Sequence, residues 1–211
     1  MIQLLCCGLD EAGRGPVIGP MVMALVCSDQ ETMSFTGARD SKILSPSNRE
    51  RIFSVIMKEA RGVSYKIISS TTINEMMEHM TLNSIEEEYA KMLIRESPYE
   101  HIYVDAFDVN EERLSRKLSE STGKKVICKH EGDSLYPVVS AASIIAKVTR
   151  DSEIEKLKKI YGDFGSGYPS DPKTINFLRA SIESNVDISN IVRTGWSTYR
   201  NILSQVNQRR F

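Results

Sequence analysis

The sequence predicts an α/β fold with a mixed central sheet flanked by helices and followed by a C-terminal helical subdomain. Three observations predict it: short strand-like apolar runs come first, helix-like and strand-like segments then alternate, and the last third has helical patterns only. A chain of 211 residues with 41% hydrophobic residues suits one ordinary domain with a small appendage. We expect a domain over residues 1–160 with a helical cap, residues 161–211, packed on it.

Five segments have the pattern of strands, because each is short, rich in apolar or β-branched residues, and ended by charge, glycine or proline. They are residues 4–9, 17–27, 63–68, 101–104 and 125–128. Turn-forming residues lie at and just before the start of the second run: Gly15, Pro16, Gly19 and Pro20. This spacing predicts that the first two strands are joined by a tight loop.

Seven segments have apolar residues at helical spacing. They are residues 46–60, 71–79, 82–95, 111–121, 138–160, 174–183 and 194–206. Ser45 and Pro46 suit the N-cap and the first position of the first helix. The small residues 140–143, Ser-Ala-Ala-Ser, predict that another backbone approaches the long helix closely.

The overall composition indicates no particular partner. The chain has 27 basic and 28 acidic residues and a formal net charge of -1, so any nucleic-acid site must come from local charge. Zinc spacing and a secreted disulfide framework are absent, which predicts four reduced, mostly buried thiols. The N-terminus lacks a basic leader and no stretch is apolar enough to span a membrane. We expect a cytoplasmic monomer without membrane contact. The four cysteines are Cys6, Cys7, Cys27 and Cys128.

Acidic side chains follow predicted strands at the points where α/β sheets bind ligands. Asp10 and Glu11 end the first strand, Asp105 ends the strand over residues 101–104, and Asp133 precedes the long helix. Carboxylates gathered at strand ends repel one another unless a cation lies between them. Mg²⁺ and Mn²⁺ are hard ions that prefer carboxylate oxygen. The pattern therefore favours a divalent metal site.

Each acid also has a purely structural explanation. Any of them could be a solvated surface charge, Asp105 could end its strand in a turn, and Asp133 could cap the long helix. Neighbours on a strand point to opposite faces, so Asp10 and Glu11 face one site only if the strand turns at Glu11. Residues 12–16, with the sequence AGRGP, favour that turn.

Five blocks along nearly the whole chain resemble the ribonuclease HII family, the type 2 ribonucleases H. Their sequences are DEAGRGP at residues 10–16, DSK and LSP within 40–46, YVD at 103–105, GDS and SAASIIAKVTRD within 132–151, and GSGYPSD at 165–171. Residues 17–20 (VIGP) and 192–196 (VRTGW) resemble archaeal members more than bacterial ones. The related ribonuclease HIII has an extra N-terminal domain, for which the nine residues before the first block leave no room. Type HII is therefore favoured.

The resemblance implies the ribonuclease H fold and an endonuclease that cuts the RNA strand of RNA/DNA hybrids. It implies cleavage on the 5′ side of ribonucleotides embedded in duplex DNA, leaving 5′-phosphate and 3′-hydroxyl ends. It assigns Asp10, Glu11, Asp105 and Asp133 as catalytic metal ligands, with two Mg²⁺ or Mn²⁺ ions during turnover. Ser134 stands where archaeal members commonly have a second acid, which leaves Asp133 as the only local candidate for that role.

The resemblance also assigns nucleic-acid contacts. It assigns recognition of the ribose 2′-hydroxyl to the loop Gly13, Arg14 and Gly15, and packing on the next sugar to Tyr168. Candidates for phosphate contacts, from their charge and helical spacing, are Lys42, Ser143 and Lys147. The structural alternatives are a tight turn, a surface-anchoring tyrosine and solvated lysines. Local positive charge, otherwise a solvated face, is added by Lys124, Lys125, Lys129 and Arg150.

The C-terminal residues 205–211 faintly resemble a sliding-clamp-binding peptide, although Gln208 stands where such peptides need an apolar residue. We expect at most a weak clamp contact there. Three other functions share some of these features: a four-way-junction nuclease on the same fold, a hybrid-binding module without catalysis, and a magnesium-dependent phosphatase. The first does not need the 13–15 loop or Tyr168, and the third has no pocket motif in the sequence.

Overall fold

The predicted mixed sheet is confirmed. The computed structural model describes residues 4–38 and 44–209. In this part of the chain the strands are β1 (Leu5–Ala12), β2 (Met21–Asp29), β3 (Gly62–Ile68), β4 (His101–Asp105) and β5 (Lys125–Lys129), in the order β3-β2-β1-β4-β5. β1 is antiparallel to β2 and parallel to β4, and β4 is parallel to β5.

Helices occupy every segment for which a helix was predicted, and two further short helices, Gln30–Ser34 and Gly132–Leu135, have no counterpart in the sequence prediction. Ser45 is the N-cap of the helix Pro46–Glu59, where its side chain accepts a hydrogen bond from the Asn48 N–H, and Gly123 ends the helix Glu111–Thr122 in the left-handed region. The helices within the described residues are α1 (Gln30–Ser34), α2 (Pro46–Glu59), α3 (Ser70–Met77), α4 (Leu82–Glu96), α5 (Glu111–Thr122), α6 (Gly132–Leu135), α7 (Pro137–Tyr161), α8 (Pro172–Glu183) and α9 (Ser197–Arg209).

The start of α7 lies against the middle of β1 at backbone distance. A Cβ added at Gly8 would lie 2.2 Å from the carbonyl carbon of Val138 and 2.3 Å from the nitrogen of Val139. The small residues of α7 that follow, 140–143, are all buried. A close backbone approach to this helix is therefore present, but at Val138 and Val139, just before the small residues for which it was predicted, and Gly8 is the residue of β1 that permits it.

Within the described residues the chain divides into two compact units, each with its own apolar core. The first unit covers residues 4–12, 22–66 apart from 39–43, and 83–149, and the second covers 13–21, 67–82 and 150–209. Side chains of β1, β2, α2 and α7 form the first core, and residues of α7, α8, α9 and the loops between them form much of the second. The boundary expected at residue 160 stays a prediction. None of the helices in the described ranges has the length and hydropathy of a membrane span.

Two of the four cysteines are not reduced, contrary to the sequence prediction. Cys7 and Cys27 face each other in the register of β1 and β2 and form a disulfide, with Cα atoms 4.0 Å apart. Cys6 and Cys128 are free and buried, as predicted, and burial raises the pKa of their thiols to about 11 and about 12. The prediction failed for the bonded pair because spacing along the sequence does not reveal which residues face each other across a sheet.

Reduction of this disulfide should lower the free energy of unfolding. The bond closes a loop with a sequence separation of 20 residues, and a loop of this length is worth about 3 kcal/mol. Denaturant titration with and without a strong reductant measures the difference. The Cys6→Ala variant, altered at the neighbouring free thiol, should keep the same response to reductant. Equal midpoints for the oxidised and reduced wild type would contradict the prediction.

Candidate active site

Asp10 and Asp105 lie at the same edge of the sheet. β1 and β4 are adjacent and parallel, and their register pairs Leu9 with Val104, so each acid directly follows a paired residue. Asp10 is buried, with 4% of its surface exposed, and Asp105 is partly buried. The strand pairing thus brings together two carboxylates from distant parts of the sequence, as the acidic strand ends predicted.

The surroundings of Asp10 oppose its ionisation. Burial, and secondly the charge of Asp105, raise the pKa of Asp10 from 3.8 to about 7. Three groups act in the other direction: the Ser143 hydroxyl donates a hydrogen bond to the carboxylate, the Lys147 ammonium attracts it, and the Glu11 N–H donates to Oδ1 at 2.7 Å. These contacts do not fully offset burial, so the carboxylate would ionise more readily beside an additional cation.

Ser143 and Lys147 share one face of α7, as their spacing predicted. The Lys147 ammonium donates to the Ser143 hydroxyl at 2.8 Å, and that hydroxyl donates in turn to Asp10. The contact with Asp10 was not predicted, because the spacing shows which residues share a helix face but not which strand that face covers. Their phosphate contacts stay a prediction.

Asp105 is connected to the start of α6. Its Oδ1 accepts a hydrogen bond from the Gly132 N–H at 2.9 Å, and a Cβ added at Gly132 would lie 3.1 Å from the Asp105 Cα. Asp133, the next residue, is buried and lies inside α6. The long helix α7 begins only at Pro137, so the alternative explanation of Asp133 as its cap is wrong.

The turn expected at Glu11 is not present. The ladder with β2 continues through Glu11, opposite Met23, and Ala12, opposite Val22. The positive φ that marks the turn, 85°, belongs to Gly13. This register alone does not bring the two side chains together, so a shared site for Asp10 and Glu11 stays a prediction.

A preformed four-carboxylate cluster is not found. Within residues 4–38 and 44–209, no group of three or more histidine, cysteine, aspartate or glutamate side chains is arranged to hold a metal ion. Asp10 and Asp105 are close enough to interact electrostatically. Two neighbouring carboxylates, one of them buried, are a donor set that suits a hard divalent cation.

The 13–15 loop, Gly13, Arg14 and Gly15, lies in the second unit beside Tyr168. A Cβ at Gly13 would lie 2.2 Å from the Arg150 side chain, so this position with its positive φ requires glycine. A Cβ at Gly15 would lie 3.6 Å from the Tyr168 ring, which is 40% exposed. The structure therefore places Tyr168 against the loop with which it was predicted to act.

Three residues near the loop differ from the sequence prediction or were missed by it. Arg150, expected as solvated positive charge, is 5% exposed and donates to the Pro20 carbonyl. Arg193 and Trp196 donate to carbonyls of the 13–15 loop, and their only sequence signal is the VRTGW block.

Lys42, predicted to contact phosphate, lies outside the described residues.

Comparison with known proteins finds relatives that match most of the chain. The family model for ribonuclease HII matches residues 7–199. Ribonuclease HII of Picrophilus torridus is 54% identical over 199 residues, which cover 93% of this chain and 96% of that protein.

Two solved structures are similar to most of the chain. Ribonuclease HII of Archaeoglobus fulgidus, solved as a complex with PCNA, has a TM-score of 0.88 and 45% identity, and the match covers 92% of this chain and 96% of that one. Ribonuclease H2 of Pyrococcus horikoshii OT3 has a TM-score of 0.91 and 39% identity, and the match covers 97% and 100%. The sheet with its flanking helices is thus the ribonuclease H fold, and the chain belongs to the ribonuclease HII family of endonucleases.

Proposed function

We propose that this ribonuclease H cuts the RNA strand of RNA/DNA hybrids, and cuts 5′ to ribonucleotides embedded in duplex DNA, by two-metal-ion hydrolysis that leaves 5′-phosphate and 3′-hydroxyl ends. The observation that carries the proposal is the buried carboxylate of Asp10 beside Asp105 at the ends of adjacent parallel strands. Membership of the ribonuclease HII family supports it.

Asp10 and Asp105 would hold the divalent ions, Mg²⁺ or Mn²⁺, with Glu11 and Asp133 completing the ligand set. Bound there, the ions would supply a water of lowered pKa and would neutralise negative charge on the leaving 3′ oxygen. The chain's own contribution is placement. The Ser143 hydroxyl and the neighbouring Lys147 ammonium favour the ionised form of Asp10, which is the form that binds metal.

Selection of RNA requires a contact with the 2′-hydroxyl, because base pairing does not distinguish ribose from deoxyribose. We assign this contact to the 13–15 loop, whose glycines leave the backbone accessible. Tyr168, half exposed beside Gly15, would pack on the next sugar. Arg14, Lys42, Ser143 and Lys147 would contact phosphates.

Cleavage of defined duplexes tests this function. The protein is incubated with Mg²⁺ or Mn²⁺ and either a DNA duplex that contains one ribonucleotide or the same duplex without it. We expect cutting of the first duplex only, on the 5′ side of the ribonucleotide, and no cutting when a chelator is added. Mass spectrometry identifies the product ends.

Other outcomes of the same assay would favour a different function. Tight binding of the ribonucleotide duplex without cleavage would favour a binding module. Equal cutting of both duplexes would favour a general nuclease, and cutting only of a four-way junction would favour a junction nuclease. Each of these results would overturn the proposed substrate.

We also propose that the C-terminus contacts a sliding clamp. Support comes from the Archaeoglobus fulgidus relative, which was solved as a complex with PCNA. In this chain α9 extends to Arg209, and the sequence of residues 205–211 faintly resembles a clamp-binding peptide. Deleting this segment should abolish retention on immobilised clamp while ribonucleotide cleavage stays intact. Retention unchanged by the deletion would exclude this contact.

A further inference from the structure

Arg193 is a buried cation whose guanidinium contacts backbone carbonyls. Its exposed fraction is 0%, and its Nε, Nη1 and Nη2 atoms donate to the carbonyls of Gly19, Arg14 and Gly13 at 3.0, 3.0 and 2.6 Å. Burying a guanidinium is costly unless its N–H groups are hydrogen-bonded. The backbone N–H of Arg193 also donates to the Val17 carbonyl at 2.9 Å, so the residue is fixed to the same segment by both backbone and side chain.

Trp196 extends this set of contacts by one residue. Its indole N–H donates to the Gly15 carbonyl at 3.0 Å, and the Arg193 guanidinium lies 4.9 Å from the centre of its ring. The carbonyls of three consecutive residues, 13, 14 and 15, therefore each accept a hydrogen bond from one of these two side chains. We call Arg193 and Trp196 the carbonyl clamp.

The clamp determines where the amide groups of the loop point. In a trans peptide the C=O and the following N–H point in opposite directions, and the chain has no cis peptide bond. The N–H groups of Arg14 and Gly15 are therefore directed away from the clamp, and Pro16 has no N–H. Two successive backbone donors on one side of a loop form a concave site for an oxygen ligand.

We infer that Arg193 and Trp196 are specificity-determining positioning residues, which orient the Arg14 and Gly15 amides toward the ribose 2′-hydroxyl. This inference rests on the proposed function. Neither clamp residue needs to touch the substrate. With the carbonyls released, the loop peptides would be free to rotate, and the donors would no longer be held in place for the hydroxyl oxygen.

Binding of two matched duplexes tests the clamp. The duplexes are identical except that one contains a single ribonucleotide, and affinities are measured by fluorescence anisotropy without divalent metal. Trp196→Phe keeps an aromatic ring beside Arg193 and removes the indole N–H, and Arg193→Lys keeps the charge but offers one nitrogen in place of three. We expect the preference for the ribonucleotide duplex to fall about tenfold in each variant, with the affinity for the all-DNA duplex unchanged.

Ser70→Ala is the matched control. The buried Ser70 hydroxyl donates to the carbonyls of Gly19 and Ile191 at 3.0 and 2.9 Å, so the variant loses hydrogen bonds of the same unit without releasing residues 13–15. It should keep the wild-type preference. Loss of preference in Ser70→Ala as well would overturn the inference, since it would indicate a general effect of destabilisation.

The remaining outcomes separate the inference from the proposed function. A wild type that neither prefers nor cuts the ribonucleotide duplex contradicts the function itself. A wild type that does both, with variants that retain the full preference, overturns the clamp alone. A parallel loss of affinity for both duplexes also overturns it. If Arg193→Lys does not fold, Trp196→Phe decides the question.

Discussion

Asp10→Asn should abolish cleavage and at the same time stabilise the metal-free protein at alkaline pH. An asparagine side chain has the same size but no charge with which to hold a divalent ion, so turnover should fall by at least about 10³-fold. The buried carboxylate is also unfavourable for folding when it is ionised. Removing its charge should raise the free energy of unfolding at pH 8 by about 1 to 4 kcal/mol.

The sign of the stability effect follows from the pKa of Asp10. Burial, followed by the charge of Asp105, raises this pKa from 3.8 to about 7. Between these two values the folded state keeps a proton that the unfolded state has lost, so the residue destabilises the fold increasingly as pH rises. The gain from Asp10→Asn should be full above about pH 7 and absent near pH 4. Urea titrations at both pH values measure it in the presence of a chelator.

Asp29→Asn provides the matched control, because Asp29 is another buried aspartate of the same sheet with the opposite pKa shift. Burial raises its pKa, but hydrogen bonds outweigh this and lower it overall; Thr32 donates to it from its N–H at 2.7 Å and its hydroxyl at 2.8 Å. This variant should lose stability at neutral pH, because it removes a charge that the Thr32 donors stabilise in the folded state, and it should keep its turnover. Unchanged turnover in Asp10→Asn would contradict the assigned role.

Gly8→Ala should prevent stable folding. The added Cβ would lie 2.2 to 2.4 Å from backbone atoms of Val138 and Val139, and backbone atoms of a buried helix cannot move aside as a flexible side chain can. Moving α7 away from β1 would open cavities in the first core. The small side chains of α7 in this core are too short to fill them. We expect a loss of more than about 3 kcal/mol, measured as a collapse of the thermal transition or as insoluble protein.

Gly62→Ala controls for the general effect of replacing a strand glycine. Gly62 lies on β3 of the same sheet, and a Cβ there would lie 3.8 Å from the Cys27 Cβ, an ordinary contact distance. Its stability should stay within about 0.5 kcal/mol of the wild type. A Gly8→Ala protein as stable as Gly62→Ala would show that the contact of α7 with β1 is looser than described.

Much of the fold could be predicted from the sequence because hydrophobic periodicity is local. The strands and long helices were placed by their spacing of apolar residues, and Ser45 and Gly123 by their capping chemistry. The short helix α6 was missed, since four residues carry no periodic signal. The pairing of Cys7 with Cys27 was also missed, because it depends on strand register.

The part of the site that could be predicted consists of residues whose chemical type indicates a metal ligand. Acids at strand ends pointed to Asp10 and Asp105, and the parallel pairing of β1 with β4 brings them together. The turn predicted at Glu11 is wrong, because β1 stays paired with β2 through Glu11 and Ala12. The structural role of Arg193 was missed, because arginine is usually a solvated surface residue. Its burial depends on backbone carbonyls that are distant in the sequence.

The most direct test of the metal site is a calorimetric titration of Mn²⁺ into the wild type and into the Asp10→Asn/Asp105→Asn double variant, both at pH 8. The wild type should bind Mn²⁺, and the double variant should bind at least about tenfold more weakly. Equal affinity in the two proteins would show that the ions that support cleavage are held elsewhere, and would contradict the assignment of this carboxylate pair.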